Sequence, residues 1–227
     1  MSSRLEGIVA TLKRCYGPLV SPPSDAFTLF VWEILSNHST PRKRDAALAA
    51  LKRHRALTPD AMWNAAPRKL EESVALAGPY RDQRLLGLRK GVDVFRRTPT
   101  LLSVVRGPVA AALRLLKQLP RLTGESGPYR MLLFAGDHAV LPVDARVSRV
   151  ATRLGYGERS TNFTKTARSI RVAVAAELPH SVDAYRQTYT YLAHHGVATC
   201  SETNPRCDEC RLLHDCPFGT SRDRRSE

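Results

Sequence analysis

The stretch Cys200-Ser201-Glu202-Thr203-Asn204-Pro205-Arg206-Cys207-Asp208-Glu209-Cys210-Arg211-Leu212-Leu213-His214-Asp215-Cys216 holds four of the chain's five cysteines, with six, two and five residues between them. Thiolate is a soft, strongly donating ligand, and four thiolates suit either zinc or an iron–sulfur cluster. Structural zinc usually draws its ligands from two close pairs, each making a turn about the metal. Only Cys207 and Cys210 form such a pair, while Cys200 and Cys216 stand alone on either side. One loop wrapping a single larger object is the better reading, which favours a [4Fe–4S] cubane over zinc. The intervening Asn204, Pro205, Arg206, Asp208 and Glu209 are polar, which argues against an inert buried cysteine group. Cys15 lies far away and reads as an ordinary core residue.

Outward from that loop, the chain reads as all-α. Its 227 residues are rich in Ala, Leu and Arg and only 7% aromatic, a balance that leans toward helix. Ser24-Asp25 caps a helix over 26–36, whose Phe27, Phe30, Val31, Ile34 and Leu35 form one apolar stripe. Pro41 opens a basic helix to about Arg55, and 79–97 reads as a long helix with a very basic face. Further helices are expected over 5–15, from Asp60, from Arg68, and over 108–119, 128–135, 144–154, 162–177 and 181–195. Residues 217–227 are polar and charged and are expected to form a disordered tail.

The formal charge is +14 and the isoelectric point about 10.1. An excess of Lys and Arg on this scale suits a polyanion, with nucleic acid the first candidate. The first fourteen residues lack a signal-peptide core, and no apolar run is long enough to span a bilayer. The expectation is a cytoplasmic, nucleoid-associated protein without a membrane partner, in which clustered cysteines read as ligands rather than disulfides.

Two further segments bear on chemistry. Leu119-Pro120-Arg121-Leu122-Thr123-Gly124-Glu125-Ser126-Gly127 is a glycine-containing turn between helices, able to bare backbone N–H groups to a phosphate. The plain alternative is a helix–helix turn in which Gly124 and Gly127 supply positive φ. Val143-Asp144 opens the helix that follows. A carboxylate fixed there can stabilise a positive charge that develops in a reaction. It can equally be no more than a helix cap.

The cysteine spacing, the hairpin and Val143-Asp144 together resemble the endonuclease III-like branch of the helix-hairpin-helix DNA glycosylases, from about Leu5 to Cys216. The resemblance implies two helical domains flanking a DNA-binding cleft. One, 25–135, is barrel-like and ends in the hairpin; the other, 1–24 with 136–216, holds the [4Fe–4S] cluster on Cys200, Cys207, Cys210 and Cys216. It implies a base-excision enzyme, monomeric, acting on double-stranded DNA that carries a damaged, mismatched or abasic site. Asp144 takes the catalytic carboxylate's place. Ser126 stands eighteen residues earlier, where bifunctional members carry a nucleophilic lysine. No lysine occurs from Gln118 to Thr164, so strand cleavage is expected to be absent or weak.

Ile34-Leu35-Ser36-Asn37-His38-Ser39-Thr40 is similar to the family's first DNA-inserting segment, with His38 at the intercalating position and Asn37 beside the pocket. Pro79 aligns with the second wedge. Arg146 replaces the usual histidine after the aspartate, where it could contact a phosphate or pair with Asp144. Arg121 occupies the place of the hairpin's first glycine, and the hairpin is one residue longer than the family's. Those departures, with Ser126, also support a second reading: a protein that binds damaged or abasic DNA without turning it over.

Overall fold

The computed structural model describes residues 2–122 and 124–223, and every described element is helical. It divides into two compact units, 22–137 and 1–21 with 138–227. The first helix, α1 (Arg4–Tyr16), belongs to the second of these.

Unit 22–137 is built around α2 (Ala26–Ser36), capped by the Asp25 side chain on the Thr28 N–H. Eight of its eleven residues are buried, including the whole apolar stripe read from the sequence. α3 (Pro41–Arg53) and α6 (Arg81–Arg97) pack on it, while α4 (Pro59–Trp63) packs on α6 and α5 (Pro67–Ala75) on α3 and α6. The proline at the start of α3, α4 and α5 is suited to a first turn, where no backbone donor is needed. The buried face of α6 runs Arg84, Gly87, Leu88, Gly91, Val92, a helical period in which the glycines form a notch. The Phe30 ring fills that notch so closely that a Cβ on Gly91 would lie 2.0 Å from it. Phe95 closes over Phe27 and Phe30 at ring distances of 5.1 and 5.5 Å.

The basic 79–97 segment begins its helix at Arg81, because Tyr80 is left-handed at φ 67°. A helix absent from the sequence reading, α7 (Leu101–Arg106), follows; it is six residues long and rich in valine and leucine, too short for its period to be recognised. Then come α8 (Val109–Leu116) and α9 (Gly127–Arg130), which continues as a fully buried π-helical turn, Met131–Ala135.

In the other unit, α10 (Ala145–Arg153) crosses α12 (Val182–Ala198), with α11 (Phe163–Ala175) alongside α10. Gly196 permits the crossing, since a Cβ there would sit 3.0 Å from that of Arg146. Gly157, at φ 77°, brings the chain against Ile170, leaving no space for a side chain. α1 opens with a capping box of Ser3 and Glu6, and several hydrogen bonds tie it down. Arg4 reaches the carbonyls of Leu154 and Asp215, and Glu177 accepts from the Leu5 N–H.

Two expectations are corrected here. Cys15 is exposed, because the buried stripe Leu5, Ile8, Val9, Leu12 continues through Tyr16. The tail expected over 217–227 begins as a helix, α13 (Pro217–Asp223), with proline in its first turn and Phe218 against Arg153; 224–227 lie outside the described residues. No helix among the described residues is long and apolar enough to cross a membrane.

Candidate functional site

Asp144 is the N-cap of α10. Its Oδ1 accepts from the N–H groups of Arg146 and Val147, both at 2.9 Å, and its Oδ2 lies 3.4 Å from the hydroxyl of buried Tyr189. Both roles considered for this residue are therefore compatible. Capping uses one oxygen and fixes the carboxylate, while the other oxygen is left beside the Tyr189 hydroxyl. The Arg146 main chain serves the cap, and its side chain is exposed.

At the opposite end of α10 lie the cysteines. Cys200, Cys207, Cys210 and Cys216 line one small pocket that is partly open to solvent. None of the five cysteines forms a disulfide. Among the described residues no group of three or more His, Cys, Asp or Glu is arranged to hold a single metal ion. Donors point at the sulfurs: Arg153 to Cys200 at 3.1 Å, the Leu212 N–H to Cys210 and the Gly219 N–H to Cys216, both at 3.4 Å. Such donors suit thiolates. Burial pushes the Cys210 thiol up, the Leu212 N–H opposes this, and the other three cysteines push it further up.

Two arginines of α10 hold the loop. Arg149 donates to the carbonyls of Cys200 and Gly196, and Arg153 to those of Ser201 and Glu202. Behind Cys210, His195 is buried, its Nε2 3.7 Å from the sulfur and its Nδ1 2.7 Å from the Tyr16 hydroxyl. Burial pulls His195 down to about 4, with neighbouring His194 adding to the effect, so the ring is neutral.

The remaining candidates belong to unit 22–137. In the hairpin, Arg121 adopts φ 62° and Gly124 φ 75°. Arginine thus takes, at a cost of roughly 1–2 kcal/mol, the left-handed conformation that glycine would adopt freely. Gly127 is not left-handed; it starts α9, where a Cβ would press on Leu122 at 3.0 Å. Thr123 lies outside the described residues. Ser126 precedes α9 without capping it, and its hydroxyl lies 3.5 Å from Arg130, which is ion-paired with Glu33 in the interior.

Asn37 and His38 end α2, and Pro79 lies before α6. One side chain brings these two turns together. Arg84, 1% exposed, donates to the carbonyls of Asn37 (2.6 Å), His38 (3.4 Å), Gly78 (3.0 Å) and Pro79. The exposed His38 ring lies 5.0 Å from that of Tyr80, and Gln83 accepts from Arg121 at 2.8 Å, linking the hairpin to α6.

No family model matches the chain. It is 24% identical over 205 residues to the chicken endonuclease III-like protein 1, covering 90% of this chain and 68% of that protein. It is also 24% identical over 203 residues to endonuclease III homolog 1, chloroplastic, of Arabidopsis thaliana, of which it spans only about half (51%). Its fold superposes on endonuclease III trapped in a covalent intermediate with DNA, with a TM-score of 0.69, 19% identity and 97% of each chain covered. The chain resembles endonuclease III in sequence and in fold. A thermostable thymine-DNA glycosylase matches equally well in fold, with a TM-score of 0.69, 15% identity, and 96% of this chain and 97% of that one covered.

In this chain, sequence reasoning missed Tyr189, His195, Arg149, Arg153, Tyr80 and Arg84. Arg149 and Arg153 carried no signal beyond general basicity. Arg84 had one in principle: it falls on the buried period of α6, where an arginine is out of place.

Proposed function

We propose that the chain is a base-excision DNA glycosylase that hydrolyses the N-glycosidic bond of a damaged or mismatched base, with little or no strand cleavage. The observation that carries this is the Asp144 carboxylate, locked at the N-terminus of α10 beside Tyr189, in a chain that shares its fold with endonuclease III along almost its whole length. As the glycosidic bond breaks, its electron pair leaves with the base and positive charge builds on the sugar. The fixed carboxylate stabilises that charge and orients a water whose oxygen bonds to the sugar carbon, the water's proton passing to the carboxylate and from there to the departed base. Enzymes that act on a base extrude it from the stack, and His38 and the Pro79 turn are the segments that would fill the gap.

Cys200, Cys207, Cys210 and Cys216 would hold a [4Fe–4S] cluster, and the shared pocket and the N–H donors aimed at its sulfurs support this. When bound, the cluster supplies four iron–thiolate bonds that close a loop with little apolar core of its own. Duplex DNA is the partner, and the protein acts as a monomer.

The test is a screen of lesion-bearing duplexes. The native protein should release a base from at least one of them and leave the strand intact until heat or alkali is applied. Borohydride should trap little covalent complex, because no amine stands at position 126. Efficient trapping would overturn the monofunctional assignment. A second reading, damage binding without turnover, is favoured by Arg121 and Ser126 at the hairpin; preference for abasic duplex with no base release across the panel would select it.

A further inference from the structure

The turn after α2 and the turn before α6 share an unusual construction. His38 at φ 50° and Tyr80 at φ 67° both occupy the left-handed region, which L-residues avoid unless their surroundings over-determine it. These conformations let the carbonyls of Asn37, His38, Gly78 and Pro79 converge on one guanidinium, that of Arg84. Among the described residues no carboxylate pairs with it and its Nε has no partner, and burial lowers its pKa, with Arg121 adding to the effect. A charge held without a counter-ion is costly, and an aliphatic side chain would fill the volume without that cost. What an aliphatic side chain cannot do is hold four carbonyls of two separate turns in one fork. On the outer side the same two turns present exposed rings, His38 and the 49% exposed Tyr80, 5.0 Å apart and tilted by 48°.

We propose that Arg84 is a positioning residue that locks the two turns so that His38 and Tyr80 stand as one pre-stacked aromatic wedge for a vacated position in duplex DNA. The inference rests on the DNA-repair reading above and deepens it, making Tyr80, beside Pro79, the partner of His38. Ring faces accept any base, so the wedge would recognise the gap rather than the sequence.

The test compares the full-length protein's affinity for two otherwise identical duplexes, one intact and one with a tetrahydrofuran abasic analogue. The native protein should prefer the abasic duplex. Tyr80→Ala should reduce that preference roughly tenfold, as loss of one stacked ring implies. Arg84→Met should reduce it to a similar extent while leaving affinity for the intact duplex unchanged. The double variant should lose no more than either single one. Arg84→Lys, which reaches only one turn, should fall between, and it carries the test if Arg84→Met does not fold. Equal loss on both duplexes, or losses from Tyr80 and Arg84 that multiply, would show that Arg84 is only a structural residue and overturn the proposal. A native protein with no preference would instead overturn the repair reading itself.

Discussion

The cap that Asp144 forms and the catalytic role proposed for it can be separated by substitution, because they use different properties of the carboxylate. As an N-cap it needs an acceptor for the Arg146 and Val147 N–H groups, which asparagine also offers. As a stabiliser of a developing cation it needs charge, which asparagine lacks. Asp144→Asn should therefore leave the melting temperature nearly unchanged and abolish base release. Asp144→Ala should abolish it too and cost about 1 kcal/mol of stability, the usual worth of a cap. Thermal unfolding and a single-turnover assay on the same preparations decide the matter; full base release by the asparagine variant would reduce Asp144 to a helix cap. At this scale the hairpin shows the converse case, since Arg121 holds a backbone conformation that its side chain does not favour.

Two contacts between elements show how closely the helices are fitted. The α2–α6 packing depends on Gly91, whose missing side chain makes room for the Phe30 ring. Gly91→Ala should raise helix propensity yet destabilise the protein by roughly 1–3 kcal/mol, the cost of overpacking a core, visible as a lower denaturation midpoint. A gain in stability would mean that the ring moves freely. In the other unit, Tyr156 joins α1 to the end of α11. Its hydroxyl donates to Glu177 at 2.9 Å, and Arg4 lies 5.1 Å from its ring. Burial, then the Glu177 bond, push Tyr156 up to about 12. A folded value raised above the unfolded one contributes stability below pH 10 and loses it as pH climbs toward 12. The native protein should lose on the order of 2 kcal/mol more than Tyr156→Phe between pH 9 and 12. Parallel stability curves for the two would refute the linkage.

For the whole molecule, the cysteine loop is the point where chain connectivity matters most. It binds back to α10 through Arg149 and Arg153, while Asp144 stands at the other end of that helix. Loss of the proposed cluster should accordingly be felt by the carboxylate proposed to be catalytic. Cys207→Ser should remove the absorbance near 400 nm expected of an iron–sulfur protein and destabilise unit 1–21 with 138–227. Unit 22–137, with its own buried core around α2, should keep its hydrogen-exchange protection. Purified protein carrying zinc and no iron would refute the cubane. The net charge of +14 makes a further demand: binding to intact duplex should fall steeply from low to physiological salt as counterions are released.

The sequence by itself determined most of the helices, the apolar stripe of α2, the four cysteines and the carboxylate at the head of α10. Each is a local pattern: a 3.6-residue period, a cap before it, or ligand spacing within one loop. It did not disclose α7 or α13, which are too short for a period to stand out, nor the exposure of Cys15. Only the tertiary structure decided what each basic residue does. Thirty-five lysines and arginines look alike in a sequence, and nothing local distinguishes Arg153 from those that face solvent. The partners that tie Arg84 to the turn after α2 and Arg153 to the cysteine loop lie 46 and 47 residues away, at His38 and Cys200, and are a backbone carbonyl and a sulfur whose direction is set by folding. A guanidinium takes its role from the acceptors that packing brings around it, and that arrangement does not exist until the helices are assembled.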